Sequence, residues 1–304
     1  MSDGRLRPYR WHLASPLSGG PFSHYECRDW DIHEKVDEIM KSPFPGDMPR
    51  AVPGAPPPKP MADVARAPWY VFMTPLKPAL MAPAARRHMA ALAVFVAALA
   101  DIATMAVPED ERIKRVEALE LALAGAFGPA LSRPELLPAV ILRDSMLETG
   151  GSFADALALA DATRDEICGK AATLRPGSQE LMDHAARASA PVLRYLSHLH
   201  GEVDEVVLRR ADDLARAWFV LRNAARWPEG AVENIAELLR AARGLHRQVS
   251  DKHLMAQTYS LYAMAECALR ALRKRGAKAD PLSAISPLDR ARIAIAARLR
   301  LSFG

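Results

Sequence analysis

From about residue 84 onward, apolar and polar positions follow an α-helical period, broken at intervals by proline, glycine and short polar runs. In residues 109–123 the apolar set Ile113, Val116, Leu119 and Leu123 recurs every three or four positions, so one face is core and the other solvated. The same punctuation predicts helices at about 84–106, 109–127, 134–148, 152–172, 178–200, 203–226, 230–248, 251–275 and 287–300. Pro108 ahead of Glu109 and Asp110, and Pro287 ahead of Asp289, suit first helical turns. Ser152 and Ser178 read as N-caps, and Gly150-Gly151 as the stop after Thr149. Asp212 and Asp213 are expected in the first turns of their helix, where acid complements the dipole. No repeat of about 30–45 residues with shared key positions occurs, which argues against a solenoid.

Upstream the pattern changes. Pro8, Pro16, Pro21, Pro43, Pro45, Pro49, Pro53 and the run Pro56 to Pro58 exclude long helices, leaving at most a short one near 31–41. Residues 1–78 therefore read as an extended, proline-rich arm, and 79–304 as a helical domain. The arm carries more aromatics than a solvating linker should expose, and Trp11, Tyr25, Trp30 and Trp69 are its expected protein-binding anchors. It lies either on its own domain or on a partner.

Composition supports an all-α class: alanine, leucine and arginine dominate, aromatics make up 6%, and 50% hydrophobic residues can bury a substantial core. A net charge of +4, from 40 basic and 36 acidic residues, gives no reason to expect nucleic acid. Cys27, Cys168 and Cys267 form no C-x-x-C pair, which points to a reducing compartment without disulfides or a zinc knuckle. Arg5, Arg7 and Arg10 precede no apolar h-region, so a secretory signal is not expected, while a mitochondrial address is compatible. Residues 89–107 approach the roughly 20 residues that cross a bilayer. Their alanine content and Asp101 favour a buried core helix.

Four segments in order resemble the squalene/phytoene synthase family. APAARRHMAALAVFVAALADIA (82–103) and EDERIKRVEALELAL (109–123) look like its opening helices. QELMDHAARASAPV (179–192) is similar to its SAnPV-containing helix, and DDLARAWFVLRN (212–223) to the helix bearing its second acidic motif. The resemblance covers roughly residues 78–300 and implies an isoprenoid-synthase-like helical bundle. In that family two acidic clusters on facing helices hold Mg²⁺ and ionise a prenyl diphosphate. Hard Mg²⁺ needs oxygen ligands, and carboxylates at i and i+4 share a helix face.

Here those clusters are degraded. The first is reduced to Ala100, Asp101 and Thr104, with Ala93 and Ala97 replacing the family's tyrosine and arginine. The second offers Arg222, Asn223 and Arg226 where carboxylates are expected, leaving Glu229 alone. A cation at a ligand position repels the metal. Leu193 stands in place of a glycine that follows the SAnPV motif. Arg222 and Arg226 could bind phosphate without metal, although arginines at this spacing more often lie on a solvated or interface face. His184, His198 and His200 lack metal-ligand spacing, and no P-loop, G-x-S-x-G or H-E-x-x-H motif occurs.

The expectation is a pseudoenzyme without cofactor, metal or obligate small-molecule substrate. Its partners would be subunits of a protein complex, and contact with a membrane complex or lipid is compatible. The resemblance extends to a degenerate branch of the family that includes an assembly factor of mitochondrial respiratory complex I. That branch implies an accessory subunit or assembly factor, located in mitochondria or otherwise in the cytoplasm. The competing expectations are an active prenyltransferase of the squalene/phytoene synthase type and a lipid- or isoprenoid-binding protein.

Overall fold

The helices begin and end where local chemistry dictates. The computed structural model describes residues 74–125, 133–227, 230–275 and 285–303. Trp11, Tyr25, Trp30 and Trp69 of the expected arm, and Glu229, lie outside them. Among the described residues there is no strand, and the chain is all-α: α1 (Pro83–Thr104), α2 (Glu109–Leu123), α3 (Leu137–Thr149), α4 (Phe153–Ile167), α5 (Gln179–Leu199), α6 (Glu205–Arg222), α7 (Ala231–Ala241), α8 (Leu245–Gln248), α9 (Lys252–Arg275) and α10 (Pro287–Phe303).

The Ser152 hydroxyl accepts from the Asp155 amide at 3.3 Å to open α4, and Ser178 accepts from the Leu181 amide at 3.2 Å to open α5. Each satisfies one orphan donor of a first turn, worth about 1 kcal/mol. Asp204 caps α6, accepting from Val206 at 2.7 Å and Val207 at 3.3 Å. Gly150 takes the left-handed conformation (φ 73°) that ends α3. At Gly151 the need is different: a Cβ would come within 2.7 Å of the Tyr195 ring, so glycine lets α5 approach the turn closely.

Helix α5 is central to one half of the bundle, packing on α4 and α6 and touching α1; α1 also rests on α3 and α4, whereas α6 continues to α7 and α9. The interior between them is filled by large side chains. Phe95, Met89, Leu119, Leu142, Leu193 and Trp218 are all essentially without solvent exposure. Close packing of this kind carries most of the bundle's stability, because each helix alone is marginal. Helix α1 is apolar and long enough to cross a membrane by composition, yet half of its most apolar window is buried inside the domain.

The chain enters the bundle against its C-terminal helices. Leu76, Leu80 and Met81 are buried, and the 3₁₀ turn Pro78–Leu80 packs on α9 and α10. His253 Nδ1 lies 3.2 Å from the Leu80 carbonyl. With its amide oriented to satisfy both groups, buried Gln257 donates to Lys77 O at 3.2 Å and accepts from Lys77 N at 2.8 Å. The backbone at residue 77 is therefore held as it would be by a sheet neighbour.

Candidate functional site

The positions singled out by the acidic motifs lie at the ends of two helices. Ala100, Asp101 and Thr104 occupy the last turn of α1 and are exposed. The Thr104 hydroxyl donates back to Ala100 O at 3.1 Å and Asp101 O at 3.2 Å, and Arg112 donates to Ala103 O at 2.8 Å. These bonds close the helix end. Asp101 makes no ion pair among the described residues.

At the end of α6, Arg222 is half-buried and Asn223 is the C-cap, its amide donating to Phe219 O at 2.9 Å. Arg226 lies one 3₁₀ turn further on and donates to both carboxylate oxygens of Glu166, at 3.3 and 3.2 Å. Among the described residues no hydrogen bond or ion pair joins the Asp101 turn to Arg222, Asn223 or Arg226.

Glu166 belongs to a cluster that helical spacing gave no reason to expect. Buried His184 on α5 lies 3.3 Å from Glu166 and 3.9 Å from Asp165, and Arg187 donates to Asp165 at 2.6 Å. The hydrogen bond from His184, and then Arg226, hold Glu166 below its usual range against the upward push of burial. Phe219 meets the His184 ring edge-on at 5.3 Å. With Lys170 3.5 Å from Asp165, two carboxylates are thus shared among two arginines, a lysine and an imidazole, an arrangement that fastens α4 to α5 and to the end of α6.

Asp212 departs from expectation. It sits two turns inside α6, nearly buried, where Arg194 of α5 donates to its two oxygens at 2.9 and 3.1 Å and reaches Asp155 of α4 at 3.3 Å. Its role is to bind three helices together. A second buried chain runs from His88 Nδ1 to Ser145 Oγ (2.8 Å) to Tyr195 OH (2.9 Å), joining α1, α3 and α5. Burial, then the Arg87 charge, lowers the pKa of His88, which favours the neutral ring in this chain.

An exposed concave surface among the described residues lies elsewhere. A groove of about 620 Å³ runs between α7, α8 and α9, floored by Ala236, Leu239 and Leu269 and walled by arginines. Tyr262 lies in it beside Glu266; burial first, and then its hydrogen bond to Glu266, push the phenol up to about 12. His246 meets the edge of Tyr259 at 5.3 Å, and Arg300 stacks on that same ring at 3.5 Å. Burial, then Arg300 and Arg247, lower the pKa of His246.

The arginine spacing on this surface is visible in the sequence, but the pairing of its two walls depends on tertiary packing. No family profile and no curated protein matches this chain.

Proposed function

We propose that this chain is a non-catalytic helical scaffold of the squalene/phytoene synthase type, acting as an accessory subunit or assembly factor of a larger protein complex. The respiratory complexes of mitochondria are the setting its family resemblance suggests. The observation that carries the proposal is the engagement of Arg226 by Glu166. A motif position that would need a carboxylate aimed at Mg²⁺ holds a cation, and that cation is already bound within the protein. Asp101 faces solvent at the end of another helix.

The filled interior supports the same reading. Leu193 is 1% exposed and Trp218 fully enclosed, which is the close packing expected if side chains have taken the place of a prenyl chain. Docking is assigned to the arm, read as residues 1–78, through its aromatics Trp11, Tyr25, Trp30 and Trp69, with the end of that arm, Thr74 and Leu76 to Pro78, packed on its own domain. Lys77 and Leu80 are hydrogen-bonded to α9, so a segment gripped by a partner continues through the backbone into the helical domain.

Native purification with mass spectrometry tests the proposal. The intact chain should co-purify with a defined protein partner, and deleting residues 1–60 should abolish that association. Recovery of the intact chain as a free monomer would overturn it.

A further inference from the structure

We propose that the groove between α7, α8 and α9 is a docking site for an acidic, partly apolar peptide segment of a partner protein. This rests on the scaffold reading and adds a second point of attachment, separate from the arm. Arg240, Arg243 and Arg247 stand on one side of the groove, and Arg270 and Arg273 on the other.

The spacings are i,i+3 for Arg240 and Arg243, i,i+4 for Arg243 and Arg247, and i,i+3 for Arg270 and Arg273. Arg270 and Arg273 share α9, where like charges at i,i+3 destabilise a helix by a few tenths of a kcal/mol, whereas Arg240, Arg243 and Arg247 are spread over α7, the turn at Gly244 and α8. Folding alone gives no reason to collect them in one concavity.

Arg115, Arg164, Arg187, Arg194 and Arg226 are each paired with carboxylates inside the domain. Among the described residues, Arg240, Arg243, Arg247 and Arg273 have no ion pair, and Arg270 uses its guanidinium on Cys267 Sγ (3.2 Å) and Glu266 O (3.4 Å). Among the described residues Arg86, Arg112, Arg210 and Arg222 also make no ion pair, so what marks the groove is that five arginines share one concavity. Glu266, the one carboxylate in the lining, already engages Tyr262.

Every long-chain cation of the lining is arginine and none is lysine. A guanidinium offers a planar fork that matches a carboxylate bidentately and is weakly hydrated, so it suits a desolvated contact. Two rows of such forks answer several carboxylates spread along a chain better than one point charge. Leu239, Leu269 and Ala236 between the rows give apolar side chains of the same segment a dry seat. A concave, walled trough fits a peptide better than it fits a flat lipid surface. A net charge of only +4 gives little of the field that draws in nucleic acid.

The test uses the full chain and a fluorescein-labelled peptide in which glutamates alternate with leucines, read by fluorescence anisotropy. Binding should weaken as salt rises, and a glutamine-for-glutamate version of the peptide should not bind. Arg243→Glu with Arg273→Glu should weaken binding about tenfold or more. Arg292→Glu with Arg298→Glu changes net charge equally on exposed positions of α10 outside the groove, and should leave affinity within about twofold. Circular dichroism on both pairs separates lost binding from lost folding.

Equal binding by wild type and the groove variant would overturn the proposal. So would capture of phosphatidylglycerol vesicles or a single-stranded oligonucleotide without capture of the peptide. Peptide binding by a protein that also turned over prenyl diphosphate would keep the groove and end the scaffold reading. Absence of both activities would do the reverse.

Discussion

Arg226 donates to both oxygens of Glu166, linking the turn after α6 to the end of α4 at 3.2 and 3.3 Å. The same carboxylate receives His184, so one acidic group serves a buried imidazole and an outer guanidinium at once. The pair is half-open to water, with Arg226 50% and Glu166 33% exposed, which limits what it can contribute.

Glu166→Gln should therefore lower stability at neutral pH by no more than about 1 kcal/mol. The sign with pH follows from a folded-state pKa below the unfolded one. The stabilisation is present above the ordinary value of 4.5 and is lost as pH falls through the depressed folded value. Denaturant titrations of wild type and variant should differ at pH 7 and converge in acid. A gap that widened on acidification would contradict the assignment.

Glu120 should behave in the opposite sense. It contacts Arg164 at 2.9 Å with 11% exposure, yet burial lifts it from 4.5 to about 7. The two partners differ: against its own burial, Arg164 is held more firmly protonated by Glu120 and Asp161. The guanidinium stays charged throughout, so Glu120 is the group that titrates.

Because its folded pKa is raised, the fold takes up a proton between about pH 4.5 and 7 and loses stability as pH rises through that window. Glu120→Gln should flatten that slope and gain about 1–3 kcal/mol over wild type at pH 8 relative to pH 4. Parallel slopes for the two proteins would rule this out.

Leu193 on α5 is 1% exposed. Leu193→Ala should cost about 2–5 kcal/mol by thermal or urea unfolding, since a close-packed site relaxes only partly around the hole. A cost well under about 1 kcal/mol would mean that the space around it is already open.

Much of the helical layout was legible because caps and breakers are local. Ser152, Ser178, Gly150 and Pro287 act as their side chains or backbone preferences require. The boundaries that differ are also local in origin. The expected helix 152–172 stops at Ile167 ahead of left-handed Gly169, and 230–248 is divided into α7 and α8 at Gly244 (φ 82°).

What could not be read was which charges meet. Asp212 looked like an N-terminal acid, because a one-dimensional pattern does not show that Arg194, eighteen positions earlier, faces it across α5 and α6. The opposed arginine rows of the groove depend on α7 and α9 lying side by side.

The most direct measurement incubates the purified full chain with Mg²⁺ and either farnesyl or geranylgeranyl diphosphate, and follows substrate loss and diphosphate release. A scaffold whose motif positions are Ala100, Thr104, Arg222 and Arg226 should consume neither substrate faster than a protein-free control. Mg²⁺-dependent turnover that disappears in Asp101→Asn would contradict the scaffold reading.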